Sequence, residues 1–181
     1  MARFRLYNAA VPEADMLSNY LNESPTFNYV NRTVTFDAND GSGSPATATQ
    51  TYNQTTNLDA NAFTRSGYAF AGWATSANGS VVYANSASYS FGSDTTLYAK
   101  WTAVPYTFTY NANGGSSGPA QETGLFAGGF VTVSNTVPTR TGYSFLGWNS
   151  NMAGTGTDYS AGTKYLMGAS HATIYAKWQG D

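Results

Sequence analysis

Apolar residues in this chain fall mostly in short alternating runs, and the same runs occur twice. Val34, Phe36 and Ala38 alternate with Thr35, Asp37 and Asn39, the pattern of a half-buried strand. Asp40-Gly41 then supplies a hairpin turn, extended by Ser42-Gly43-Ser44-Pro45, and residues 47–52 read as the return strand. Residues 53–65 have no clear period and read as a loop or short helical turn. Residues 68–73 carry Tyr68 and Phe70 at one parity and Trp73 at the other, which predicts a strand buried on both faces and hence central. Asn78-Gly79 marks a further turn, residues 81–83 and 89–91 read as short strands, and residues 95–101 close the unit.

The second half repeats this plan. Arg65-Ser66-Gly67-Tyr68-Ala69-Phe70-Ala71-Gly72-Trp73 returns as Arg140-Thr141-Gly142-Tyr143-Ser144-Phe145-Leu146-Gly147-Trp148. Thr96-Leu97-Tyr98-Ala99-Lys100-Trp101 returns as Thr173-Ile174-Tyr175-Ala176-Lys177-Trp178, and Thr35-Phe36-Asp37-Ala38-Asn39 as Thr109-Tyr110-Asn111-Ala112-Asn113. Landmarks in fixed order at near-fixed spacing define an internal repeat. The offset grows from 74 residues at Phe36/Tyr110 to 75 at Tyr68/Tyr143 and 77 at Trp101/Trp178, so the insertions lie between landmarks, where loops tolerate them. Gly67 and Gly142 precede the tyrosines where a positive φ is easiest for glycine. The organisation is an N-terminal segment (1–33), repeat 1 (34–101), a linker (102–107) around Pro105, repeat 2 (108–178) and a tail (179–181). The expected core is Phe36, Tyr68, Phe70, Trp73, Tyr98 and Trp101, with Tyr110, Tyr143, Phe145, Trp148, Tyr175 and Trp178 in the second copy.

The first 33 residues stand outside the repeat. Residues 3–7 alternate like a short strand, and Pro12-Glu13-Ala14-Asp15 reads as a helix start, with Pro at the first helical position and carboxylates in the first turn. Ala14, Leu17 and Leu21 follow at helical spacing, and Ser24-Pro25 ends the helix. Two readings stay open: a cap on the first repeat, or a docking arm using Phe4, Leu6, Tyr7, Leu17, Tyr20, Leu21, Phe27 and Tyr29. Three arginines face three acids here, so docking through this arm would rest on apolar burial more than on net charge.

Composition narrows the function. Each unit has about 70 residues, near the lower limit for a lone hydrophobic core. Aromatics at 15% help, because Trp, Tyr and Phe each bury about 150–250 Å². Only 10% of residues are charged and the net charge is −2, which gives no basic surface for nucleic acid. The absence of cysteine excludes disulfides and thiolate chemistry. No stretch approaches the roughly 18 apolar residues of a membrane-spanning helix, so membrane insertion is not expected. The start lacks the apolar run of a secretory signal.

Candidate chemistry is sparse. His171, the one histidine, has no paired carboxylates and reads as an exposed loop residue. Asp37-Ala38-Asn39-Asp40-Gly41 looks like a calcium loop only superficially: glycine is fifth, the twelfth position is Ala48, and the second copy loses both charges. Gly114-Gly115-Ser116-Ser117-Gly118 and Gly128-Gly129 lack a following Lys-Ser/Thr and read as turns. Asn22, Asn31, Asn53 and Asn78 sit in glycosylation sequons, relevant only in a eukaryotic secretory pathway. Exposed aromatics could stack on sugar rings. Positions that recur in both repeats read as core, which leaves Tyr83, Tyr89 and Tyr159 as the sugar-facing candidates. No catalytic, cofactor or metal residue is expected.

The motifs Gly67-Tyr68-Ala69-Phe70-Ala71-Gly72-Trp73 and Leu97-Tyr98-Ala99-Lys100-Trp101, with their second copies, resemble the internalin-type B repeat, also called the Listeria–Bacteroides repeat. The likeness covers residues 34–101 and 108–178. It implies a mostly β fold with minor α, built of small β-grasp-like units used in tandem as spacers or adhesive modules, without catalytic residues. The family is at home in long exported chains with a signal and a wall anchor. A short chain with no signal and a unique N-terminal segment instead suits the exterior of a phage particle, as a decoration or head-fibre protein docked on another structural protein through residues 1–33. A bacterial cell-surface or extracellular adhesin fragment, with host-surface glycans as ligands, is the alternative, and a carbohydrate-binding module is a third.

Overall fold

The fold was taken from a computed structural model, which describes residues 31–39 and 47–181. In repeat 1 the strands are β1 (Arg32–Asp37), β2 (Thr47–Tyr52), β3 (Thr56–Asn57), β4 (Tyr68–Ala74), β5 (Ser88–Tyr89) and β6 (Thr95–Ala103). Repeat 2 contributes β7 (Tyr106–Asn111), β8 (Glu122–Leu125), β9 (Phe130–Thr132), β10 (Tyr143–Asn149), β11 (Asp158–Tyr159), β12 (Lys164–Leu166) and β13 (Ala172–Gly180). No helix occurs among the described residues: residues 53–65 are a loop with a bend at 53–54 and the short strand β3, without a helical turn. The strand and helix expected within residues 1–30, and the docking set they carry, lie outside the described residues.

Each repeat is a sheet backed by a two-stranded ribbon. The first sheet has the order β2-β1-β6-β4, and the second β8-β7-β13-β10-β11. β1 runs parallel to β6, and β7 parallel to β13, while the remaining neighbours are antiparallel. A parallel pair needs a long crossover connection. Here that connection carries the ribbon, β3 with β5 or β9 with β12, which closes over one face of the sheet.

The core lies between sheet and ribbon and is built twice. Val34, Phe36, Leu58, Trp73, Phe91, Leu97 and Ala99 fill the first. Phe108, Tyr110, Val133, Trp148, Met167, Ile174 and Ala176 take the corresponding places in the second. Trp73 and Trp148 are each 1% exposed. At about 25 cal/mol per Å², burying one such ring contributes about 4–6 kcal/mol before chain entropy is charged against it.

The expectation that residues 68–73 form a central strand needs correcting. β4 is the last strand in its sheet order, and pairs β6 through a bulge at Gly72: Phe70 faces Trp101, and Gly72, not Ala71, faces Lys100. The extra residue flips the parity, so Phe70 and Trp73 share one face with ring centroids 4.9 Å apart. Glycine is required there, because φ is +137° and a Cβ would stand 2.7 Å from the Tyr83 carbonyl oxygen. The strand expected at 81–83 reduces to one bridge, Trp73 with Tyr83. β10 carries the same bulge at Gly147.

Candidate interaction surfaces

Several of the polar side chains shared by the two repeats hold the frame together. Asp37 Oδ1 accepts from the Asn39 backbone N–H at 2.8 Å, an Asx turn that places Asn39 at φ +47°. The Asn39 amide then donates to the carbonyls of Ala77 (2.9 Å) and Ala99 (3.0 Å), tying the β1 turn to β6 and to the hairpin after β4. Asn111 and Asn113 rebuild this arrangement, with donation to Met152 and Ala176. Beside each clip an indole N–H donates to the preceding alanine carbonyl: Trp101 to Ala38 at 2.7 Å and Trp178 to Ala112 at 3.0 Å. Asp37 of the calcium-like sequence is therefore already engaged in a turn, while Asp40 and Gly41 lie outside the described residues. Among the described residues no three His, Asp or Glu side chains come together in a group able to hold a metal ion.

Four aromatics expected in the core are not part of it. Tyr68 and Tyr143 are 38% and 41% exposed, each covered by the arginine three residues earlier, with guanidinium-to-ring distances of 4.1 and 3.8 Å. Tyr98 and Tyr175 are half-buried, at the opposite parity on β6 and β13 from core-facing Leu97 and Ile174. Phe70, Trp101, Phe145 and Trp178 are half-buried against the core edge, while Phe36, Trp73, Tyr110 and Trp148 lie inside it. The three tyrosines held out for sugar stacking are also placed differently. Tyr89 is buried, and Tyr83 packs edge-on to it with centroids 5.2 Å apart. Tyr159 is half-buried against Tyr165.

Where the repeats differ, the surface differs. Phe36 lacks the hydroxyl that Tyr110 uses to donate to Glu122 (3.2 Å) and accept from Ser134 N–H (2.9 Å). Burial pushes the Tyr110 phenol above its ordinary pKa. In repeat 1, Gln50 spans the gap itself, accepting from Asp59 N–H and donating to Asn57. A cleft of about 240 Å³ is left between Phe36, Phe63, Trp73 and residues 59–62. The Trp73 indole N–H is buried nearby, with no hydrogen-bond partner among the described residues. A second cleft, about 210 Å³, is lined by Asn113, Arg140, Met152, Lys177 and Trp178. Its polar groups are already engaged: Lys177 pairs with Asp158 at 3.0 Å, Arg140 covers Tyr143, and Asn113 makes its two clip bonds.

Repeat 2 has two further features of its own. Asn149, fully buried, satisfies both ends of its amide. Its oxygen accepts from the N–H groups of Asn151 and Gly156, and its nitrogen donates to Gly156 O and Asp158 Oδ1. On the outer face of the ribbon, Phe130 and Leu166 are cross-strand partners, 62% and 59% exposed. His171, exposed as expected, accepts at Nδ1 from the Thr107 N–H at 3.1 Å, the place Asp94 fills for Thr33 in repeat 1 at 2.8 Å.

These observations define a class: a tandem all-β repeat whose recurring residues build a frame, with no convergent catalytic constellation among the described residues. Residues 33–100 and 106–177 match the Listeria-Bacteroides repeat domain, and the chain belongs to that family. It is 34% identical over 123 residues to a Gly-rich protein of Evansella cellulosilytica named as a membrane protein. That match covers 64% of this chain and 14% of the relative. A second membrane-named protein of the same organism is 40% identical over 85 residues, covering 46% of this chain and 13% of the relative. Internalin H of Listeria monocytogenes is 29% identical over 116 residues, covering 64% of this chain and 20% of the relative. The matches thus span about 13–20% of the relatives' lengths.

Proposed function

We propose that this chain is a non-enzymatic tandem module of a bacterial cell-surface protein, acting as a spacer or adhesive segment. The observation that carries the reading is the duplicated frame itself. The Asx turn, the asparagine clip, the indole bond and the glycine bulge recur in both units, and none leaves a reactive group free. Two β-grasp-like units, each with a parallel middle pair and a crossover ribbon, suit repetition along a line. The relatives named as membrane proteins and as internalin H support the surface setting over the exterior of a phage particle, for which no comparison speaks. Antibody against residues 31–181 should label intact cells of the source bacterium. Labelling confined to purified phage particles would overturn this reading and restore the virion one.

A further inference from the structure

The contact between the repeats is built on Gly67. Its φ is +80°, and a Cβ there would stand 2.7 Å from Ala127 Cβ and 3.8 Å from Ala169 Cβ. Ala127 lies in the loop between β8 and β9, and Ala169 in the loop between β12 and β13. The corner of repeat 1 thus rests its bare backbone on two methyl groups of repeat 2, and a side chain would lift it off. The Gly67 carbonyl also accepts from Val104 N–H at 2.9 Å, which fixes the direction in which the chain leaves β6. Only Val104 and Pro105 separate β6 from β7, so little slack remains at the junction.

Repeat 2 carries the same corner. Gly142 has φ +74°, and its carbonyl accepts from Asp181 N–H at 3.3 Å. Asp181 follows β13 as Val104 follows β6. Here, among the described residues, nothing stands within 4 Å of a Cβ built on Gly142.

We propose that the Gly142 corner is a docking surface for a further repeat of this kind, seated through two small-residue loops as Ala127 and Ala169 seat on Gly67. The occupied Gly67 corner shows which surface fits. The corresponding loops of repeat 1 carry exposed Asn53, Gln54 and Ser93, so the partner resembles repeat 2 and not repeat 1. The proposal goes beyond the spacer reading and stands whether the module is displayed on a cell or on a particle.

The test extends the full chain by appending a second copy of residues 105–181 directly after Asp181, the position equivalent to Val104. The chain has no native cysteine, so pairs of introduced cysteines can be spin-labelled cleanly. Thr102 and Gln179 are exposed and equivalent. Labels at this pair report the Gly67 junction, and labels at Gln179 and its appended counterpart report the new one. The two distance distributions are expected to be narrow and to share one centre. Gly67→Ala should broaden only the first and Gly142→Ala only the second. In the unextended chain, Gly142→Ala should leave the Thr102–Gln179 distance unchanged. Because both glycines have nearly the same φ, backbone strain is common to the two variants and the difference reads docking. A broad distribution across Gly142, its indifference to Gly142→Ala, or an appended repeat that fails to fold would each overturn the proposal.

Discussion

Trp101 donates its indole N–H to the carbonyl of Ala38 across 63 residues of chain, at 2.7 Å. This bond joins the last strand of repeat 1 to the end of its first, and Trp178 with Ala112 repeats it. Trp101→Phe keeps most of the ring area but removes the donor, leaving the half-buried end of β1 with an unpaired carbonyl. Loss of about 1–3 kcal/mol from repeat 1 is expected, measured by urea unfolding. A variant as stable as the parent would show that the indole serves only as bulk.

Asn149 is the polar counterpart of Ala74, and its amide holds the loop of residues 150–157 by three hydrogen bonds and donates a fourth to Asp158 Oδ1. Asn149→Ala leaves the N–H groups of Asn151 and Gly156 without their acceptor. Destabilisation of about 1–3 kcal/mol, confined to repeat 2, should follow, together with faster amide exchange at those two residues.

His171 and Asp94 occupy equivalent places and accept the same backbone N–H by different chemistry. His171→Ala should therefore cost about 0.5–1.5 kcal/mol, and His171→Asp should restore most of it. Thermal melts of the three proteins decide the point. Equal losses for Ala and Asp would mean that the imidazole contributes by packing on Tyr106 instead.

Asp158 is held below the usual carboxylate range, first by the Asn149 amide and then by Lys177, with desolvation opposing both. Because its folded pKa is the lower one, its contribution to stability is present above the unfolded value of about 4 and is lost as pH falls through the folded value. Stability measured from pH 5 downward should fall more steeply for the parent than for Asp158→Asn. Parallel curves would remove Asp158 from the acid response.

How much of this was legible in the sequence depends on the range of each interaction. The return strand at 47–52 matches β2, and the positive φ at Gly67 and Gly142 followed from local sterics. Strict alternation puts Trp73 on the wrong face, because a period of two cannot register the extra residue at Gly72. Tyr68 and Tyr143 read as core because a tyrosine covered by an arginine looks, in sequence, like any other aromatic landmark. Asn39 reads as a polar position of the first strand and Asn113 as its repeat, and their bonds to Ala99 and Ala176 join residues about 60 positions apart, which no local pattern encodes. The Gly67 junction was invisible for the same reason, since its partner Ala127 belongs to the other repeat.

The expected picture is of two self-contained frames, each with its own core, meeting at a corner where Gly67 faces Ala127 and Ala169. Trp73→Ala tests it most directly, read by two-dimensional amide NMR. Loss of about 3–5 kcal/mol through cavity formation exceeds what a marginal unit of about 70 residues can absorb. Signals from residues 33–100 should collapse into the unfolded region while those from residues 106–177 keep their dispersion. Collapse of both sets together would contradict this picture and show that the two repeats share one cooperative core.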